Sequence, residues 1–289
     1  MKPKSALMVY LGFSAICVAQ TITGLRDTSP GNNLNRLSIG YKATVNRHAA
    51  TSQPKPDVVV FIGDRVLPQF VDGGGWTTSV YLVNLENHPT SFTVLFFQDN
   101  GNDLIVPVVG QGPVRAMNIS LGIAGSIEFE TAGIASGVSQ GWAYISQTNN
   151  DSIGGMSIFR FTTTGIPAQE AVVPVTNQFD DHFVLMFDNT STFVTGIAMA
   201  NPTINAVVIP VNIRDQSGRI IDTRTTALGP YSHTAFILGS TWPSTAGIRG
   251  AIEFLTSGFG VAALGLRFNG YAFTSFPVFE NFNWTLATP

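Results

Sequence analysis

From Val58 onward, apolar residues come in short runs separated by Gly, Asn, Asp or Pro, a spacing that predicts β-strands throughout. Alternation is plain in Ser79-Val80-Tyr81-Leu82-Val83 and in Arg219-Ile220-Ile221-Asp222-Thr223-Arg224-Thr225. In such runs successive side chains point to opposite faces of a sheet. Strands are expected near 58–62, 66–70, 77–83, 91–97, 103–108, 113–120, 125–130, 141–146, 155–162 and 169–174. A second set is expected near 182–186, 193–200, 206–214, 219–226, 231–237, 249–255, 260–268 and 272–278. No long stretch keeps a helical three-four spacing without Gly or Pro intruding. Short strands with frequent turns predict an all-β fold of two tandem antiparallel β-sandwich (Ig-like) domains.

The pattern repeats. Asn84 and Asn201 each open a polar turn, precede an apolar run, and stand 17 residues before Gly101 and Gly218. Gly125-Ser126-Ile127-Glu128-Phe129 matches Gly250-Ala251-Ile252-Glu253-Phe254, and Phe159-Arg160-Phe161 matches Leu266-Arg267-Phe268. Val173-Pro174-Val175 likewise matches Phe276-Pro277-Val278. A period near 117 residues suits duplication of a small domain rather than a solenoid unit. The expected division is a signal peptide 1–19, a linker or extended arm 20–57, module one 58–175, module two 176–280 and a tail 281–289. Asn100-Gly101 predicts a type I′ hairpin turn, with Ser217-Gly218 in the matching place.

Two segments also carry a resemblance. Phe70-Val71-Asp72-Gly73-Gly74-Gly75-Trp76-Thr77-Thr78, with Leu82-Val83-Asn84 after it, resembles the first module of a tandem β-sandwich repeat family found in secreted bacterial proteins of unknown function. Phe187-Asp188-Asn189-Thr190, then Phe193 through Pro202, resembles the second module, as does Thr245 through Phe254. The resemblance covers roughly residues 66–279. It implies the fold and export, and it carries over no catalytic residue. Modules of this family often follow another domain. Here only the arm 20–57 precedes them, so the modules themselves are expected to carry the function.

Export is also read from the first residues. Lys2 and Lys4 form a basic start, Ser5 to Ile16 an apolar core, and Ala19 a small residue at a cleavage site before Gln20. The expected location is secreted, extracellular or at the cell surface, not integral to the membrane. Cleavage removes the lone cysteine, Cys17, so stability rests on core burial. The composition permits that, with 44% hydrophobic residues, 21 Phe and 11% charged residues. Loss of Lys2 and Lys4 leaves 13 basic against 18 acidic residues, a formal charge of −5. With no basic run, nucleic acid is not an expected partner.

Candidate chemistry is sparse. Asp72, Trp76 and Thr77 flank three glycines that permit close backbone approach, and Trp76, with Trp142 and Trp242 near expected loops, offers a flat face for a sugar. The structural reading is that Trp76 plugs a tight corner. Asp99-Asn100-Gly101-Asn102-Asp103 has oxygen ligands in the manner of a calcium loop, yet it sits where a hairpin turn is required. Asp180-Asp181-His182 places carboxylates beside an imidazole, although neighbours on a strand point apart. Glu128 with Arg160 and Glu253 with Arg267 read as solvated residues or as cross-strand pairs, one in each module. No metal-protease, phosphate-loop or nucleophile-elbow motif is present, and neither a metal nor a cofactor is expected. The expectation is therefore a non-catalytic interaction or structural protein, its partner a protein or polysaccharide at the cell surface. The alternatives are a carbohydrate-binding protein using loop tryptophans and a self-associating filament or sheath subunit that exchanges a strand through the arm.

Overall fold

The computed structural model describes residues 64–135, 137–147, 149–176, 182–256 and 260–280. The signal segment, the arm, the expected strand 58–62, Asp180, Asp181 and the tail 281–289 lie outside the described residues. The chain is all-β, built from antiparallel sheets packed in sandwich fashion. Its helical content among the described residues is one turn, Leu238–Thr241, and a 3-10 turn, Pro243–Thr245. No helix there is long and apolar enough to cross a membrane.

In the first half, β1 (Arg65–Asp72), β8 (Ser139–Gln147), β3 (Thr90–Gln98) and β6 (Ala116–Leu121) lie side by side in that order. The facing sheet runs β10 (Ile166–Pro174), β9 (Ile153–Thr163), β2 (Trp76–Asn84) and β7 (Ser126–Glu130). A small two-stranded hairpin, β4 (Val106–Val108) and β5 (Gly112–Val114), packs Val106 and Val108 into the core of this half. In the second half, β11 (His182–Asp188), β16 (Arg249–Leu255), β13 (Val207–Asp215) and β14 (Ile220–Leu228) repeat the first order, with β19 (Val278–Glu280) added beyond β11. The sheet facing them runs β18 (Ala272–Phe276), β17 (Ala262–Asn269), β12 (Phe193–Ala200) and β15 (His233–Ile237). Strand order in the two halves is the same.

Hydrogen bonds repeat as well. Asn84 Nδ2 donates to the carbonyls of His88 and Gly122 at 2.8 and 2.9 Å, and its Oδ1 accepts the Glu86 N–H. Asn201 Nδ2 donates to the carbonyls of Asn205 and Gly229 at 2.7 and 2.8 Å, and its Oδ1 accepts the Thr203 N–H. Thr78 Oγ1 bridges the Val71 backbone as Thr195 Oγ1 bridges that of Asp188. Gly141 passes so close to Phe97 that a Cβ would lie 1.9 Å from its carbonyl oxygen, and Gly250 meets the Arg214 carbonyl at the same 1.9 Å. These contacts make Asn84, Thr78, Val71 and Gly141 the counterparts of Asn201, Thr195, Asp188 and Gly250.

That register corrects three expectations. Residues 126–129 lie on β7, which pairs with β2, whereas 250–254 lie on β16 between β13 and β11. The true counterpart of the second segment is Gly141 through Ile145. Likewise Thr78 faces Phe159 and Thr195 faces Arg267, so the Phe-Arg-Phe and Leu-Arg-Phe triplets are out of step by one residue. One residue on a strand reverses the face. Finally, Gly101 and Gly218 have φ of +77° and +83°, but Asn100 and Ser217 are not in that region. A type I′ turn needs two such residues, so each hairpin closes instead on a single left-handed glycine, as longer loops do.

Each half buries a core between its two sheets, around Phe70, Phe96 and Val94 in the first and Phe187, Ile213 and Phe254 in the second. A third apolar cluster joins the halves. Val71, Trp76, Phe159 and Phe161 of the first pack with Leu264, Leu266, Phe268 and Phe273 of the second. The outward face of the β18-β17-β12-β15 sheet is therefore covered, and six consecutive residues of β12, Thr195 to Ala200, are buried. Nearby, Phe97 stacks between Trp142 and Tyr231 at centroid distances of 4.8 and 5.5 Å. Trp142 Nε1 donates to the Tyr231 carbonyl at 2.9 Å.

The turn at Gly101 sits against the second half, where a Cβ would lie 2.5 Å from the Pro230 carbonyl oxygen; at Gly218 it would meet nothing within 4 Å. Gly218→Ala should cost about 1–2 kcal/mol for its left-handed backbone alone. Gly101→Ala should cost a further 1–3 kcal/mol, roughly, for the clash. Urea unfolding of both variants checks this; equal losses would show that the turn does not bear on the second half.

Candidate binding groove

The five residues singled out from the sequence do not form one site. Asp72 is buried, and its carboxylate accepts the N–H groups of Gly133 and Ala135 at 2.7 and 3.1 Å, which ties the glycine corner to a neighbouring loop. Thr77 is half-buried on β2 beside Gly133. Trp76 opens β2 and packs on Phe161 and Phe273 between the halves. Trp142 lies within β8, fully buried, and Trp242 packs on Phe236 and Phe254 inside the second half. Trp76, Trp142 and Trp242 are 4%, 0% and 8% exposed, so their ring faces are covered by protein.

The acidic turn at Asp99 is also committed elsewhere. Its Oδ1 lies 2.8 Å from His233 Nδ1, and its Oδ2 accepts from Gln140 Nε2 at 2.9 Å, so the turn clasps the two halves together. Among the described residues no group of three acidic, His or Cys side chains is arranged to hold a metal ion. The expected Glu–Arg pairs form differently. Arg160 pairs with Glu170 at 2.6 Å and Glu130 at 3.9 Å, while Glu128 accepts the Tyr81 hydroxyl. Glu253 is fully buried rather than solvated, held by Arg214 at 2.8 Å, Asn212 at 3.0 Å and His182 at 2.8 Å. Its counterpart in the first half is Tyr144, so the ionic cluster belongs to the second half alone.

A groove of about 1160 Å³ opens on the second half, along β11 and between it and β18. Met186, Phe276 and Phe279 give it an apolar lining, with Met186 52% and Phe279 45% exposed. At one end Asp188 holds two arginines: Arg249 Nε at 3.1 Å on Oδ1 and Arg267 at 3.3 Å on Oδ2. Backbone pairing sets this up, because Asp188 faces Arg249 across β11 and β16, and Arg267 lies opposite Thr195. Arg267 also sits 3.4 Å above the Phe193 ring. Burial pushes the Asp188 carboxyl up, but hydrogen bonds from the Thr190 hydroxyl and N–H, and from Arg249, outweigh it and hold it below the usual carboxylate range. Burial raises Glu253 too, and Asn212, Arg214 and His182 together bring it below its usual value.

Sequence reasoning missed this cluster. Asp188 and Arg249 stood inside quoted motifs and Arg267 inside a repeated triplet, but only the strand register brings them to one point. A scan against family models, a search of curated proteins and a search of solved structures each return no match to the chain.

Because Asp188 and Glu253 are depressed in the folded state, the stability they confer is complete above the ordinary carboxylate range. It is lost as pH falls through their lowered values, below about pH 4. Urea midpoints should therefore fall steeply in that window. Asp188→Asn should be less stable than the parent at pH 6 and show a shallower acid limb. An unchanged limb would remove Asp188 from the account.

Proposed function

We propose that the chain is an exported, non-catalytic protein that works by binding outside the cell or at its surface. In this reading each half is an Ig-like sandwich of the secreted tandem-repeat type that the Phe70–Asn84 and Phe187–Pro202 segments resemble. The groove carries the proposal. Over an apolar lining it carries Arg214, Arg249 and Arg267 against Asp188 and Asp215, with Arg249 and Arg267 sharing the Asp188 carboxylate, which suits an acidic, partly apolar partner. A guanidinium has five N–H donors, and Arg249, whose side chain is 49% exposed, gives only its Nε to Asp188. These groups are recognition chemistry, with no nucleophile set beside a general base. Covered tryptophans favour a protein partner over a polysaccharide.

A photoreactive benzoyl-phenylalanine at Met186 or Phe279, in protein made by its producing cells, should form adducts with a macromolecule through the groove. A hydrolase substrate panel should show no turnover. Absence of adducts at both positions would overturn the groove as the binding surface, and turnover abolished by Arg249→Ala would overturn the non-catalytic reading.

A further inference from the structure

The contact between the halves uses two surfaces, and each has an uncovered counterpart in the opposite half. On the first half the receiving surface includes Gln69, Val71, Gln140 and Phe159, against which Leu266 of the second half seats. Shared register makes Asp188, Arg249 and Arg267 the counterparts of Val71, Gln140 and Phe159, and Met186 stands where β1 bulges at Pro68 and Gln69. These are groove residues. The groove is thus the place on the second half where, on the first half, the next sandwich is docked.

The surface that docks there is the outward face of the β18-β17-β12-β15 sheet, with Ala198, Ala235, Ile237, Leu264 and Leu266. Its counterpart is the outward face of the β10-β9-β2-β7 sheet. Tyr81 stands for Ala198, Glu128 for Ala235, Glu130 for Ile237, Met156 for Leu264 and Ile158 for Leu266. Every one of those five first-half residues is exposed or half-buried.

We propose that the protein associates head to tail with copies of itself by repeating its internal contact, the groove of one copy receiving the outward face of the next copy's β10-β9-β2-β7 sheet. This rests on the binding reading of the groove and names its partner. Charge supports it. Where the internal contact has Val71, Gln140 and Phe159, the groove has Asp188, Arg249 and Arg267; where it has Ala235, Ile237 and Phe268, the outer face has Glu128, Glu130 and Arg160, so a cluster of net positive charge meets one of net negative charge. Internally β8 approaches β15, so in the repeated contact β16, carrying Arg249, meets β7, carrying both glutamates.

Smaller features match too. The internal clasp of Asp99 with His233 maps onto Gln216 and Ser126, another polar pair. The Gly101 turn, which rests on Pro230 and Tyr231, maps onto the open Gly218 turn, with Ile123 and Ala124 to receive it. Ile123 is 62% exposed, and Ala124 has φ of +53° where Tyr231 has +51°. A contact of this kind is heterologous and builds an open chain or a ring rather than a two-fold dimer.

Sedimentation velocity of the full exported chain across concentration and salt tests the proposal. Self-association is expected at low ionic strength and should weaken with salt. Arg249→Glu and Glu128→Arg should each weaken it by about tenfold or more. An equimolar mixture of the two variants should assemble, and so should the chain carrying both changes, since each restores opposite charges across the contact. That rescue separates a broken contact from a misfolded variant. A parent chain that stays monomeric up to its solubility limit at low salt would overturn the proposal, as would association indifferent to both reversals. If Met186 still forms adducts with another macromolecule while the parent is monomeric, the binding reading stands and self-association falls. Absence of both adducts and association would end the two together.

Discussion

The burial of one sheet on both faces is the constraint on which the rest of the molecule depends. The β18-β17-β12-β15 sheet has its own half's core on one side and the apolar layer shared with the first half on the other. Sheets covered on both sides carry continuous apolar runs instead of alternation. Met199-Ala200 in β12 and Ala262 through Leu266 in β17 show that composition, with Ala and Gly where the backbones come close. Trp76 and Trp142 belong to the same constraint. Their large surfaces cover the contact, and the single indole N–H of Trp142 finds a carbonyl on the opposite half.

Much of this was legible in the sequence. Strands near 182–186, 193–200, 206–214 and 249–255 correspond to β11, β12, β13 and β16, because alternation and glycine punctuation act locally. The 117-residue spacing of Asn84 and Asn201 marks true counterparts, each asparagine holding its turn by the same three bonds. What failed was the register of residues 125–129 and 159–161, whereas Val173 and Phe276 are true counterparts. The β4–β5 hairpin has no counterpart among the described strands of the second half, so the loops differ in length and resemblance of short motifs misleads. Glu253 was read as solvated for that reason. Nothing along the chain marks it as buried, since its partners Arg214 and His182 come from two other strands.

The sites behaved similarly. Isolated tryptophans beside glycine look like ligand platforms, but Trp76, Trp142 and Trp242 pack into three separate apolar clusters. The Asp188 cluster is assembled from β11, β16 and β17 and has no linear signature. Its charges stand where the first half has Val71, Gln140 and Phe159, so a surface covered by apolar contact in the first half is an open groove with an ionic cluster in the second.

The shared layer also sets the smallest piece of this protein that recombination could move. A first half severed after Thr176 would present Val71, Trp76 and Phe159 to water, and a second begun at His182 would present Leu264, Leu266 and Phe268. Neither would inherit a finished surface. The two halves together, not either alone, are the transferable unit, and fusions or grafts that split them would place sticky faces at the junction.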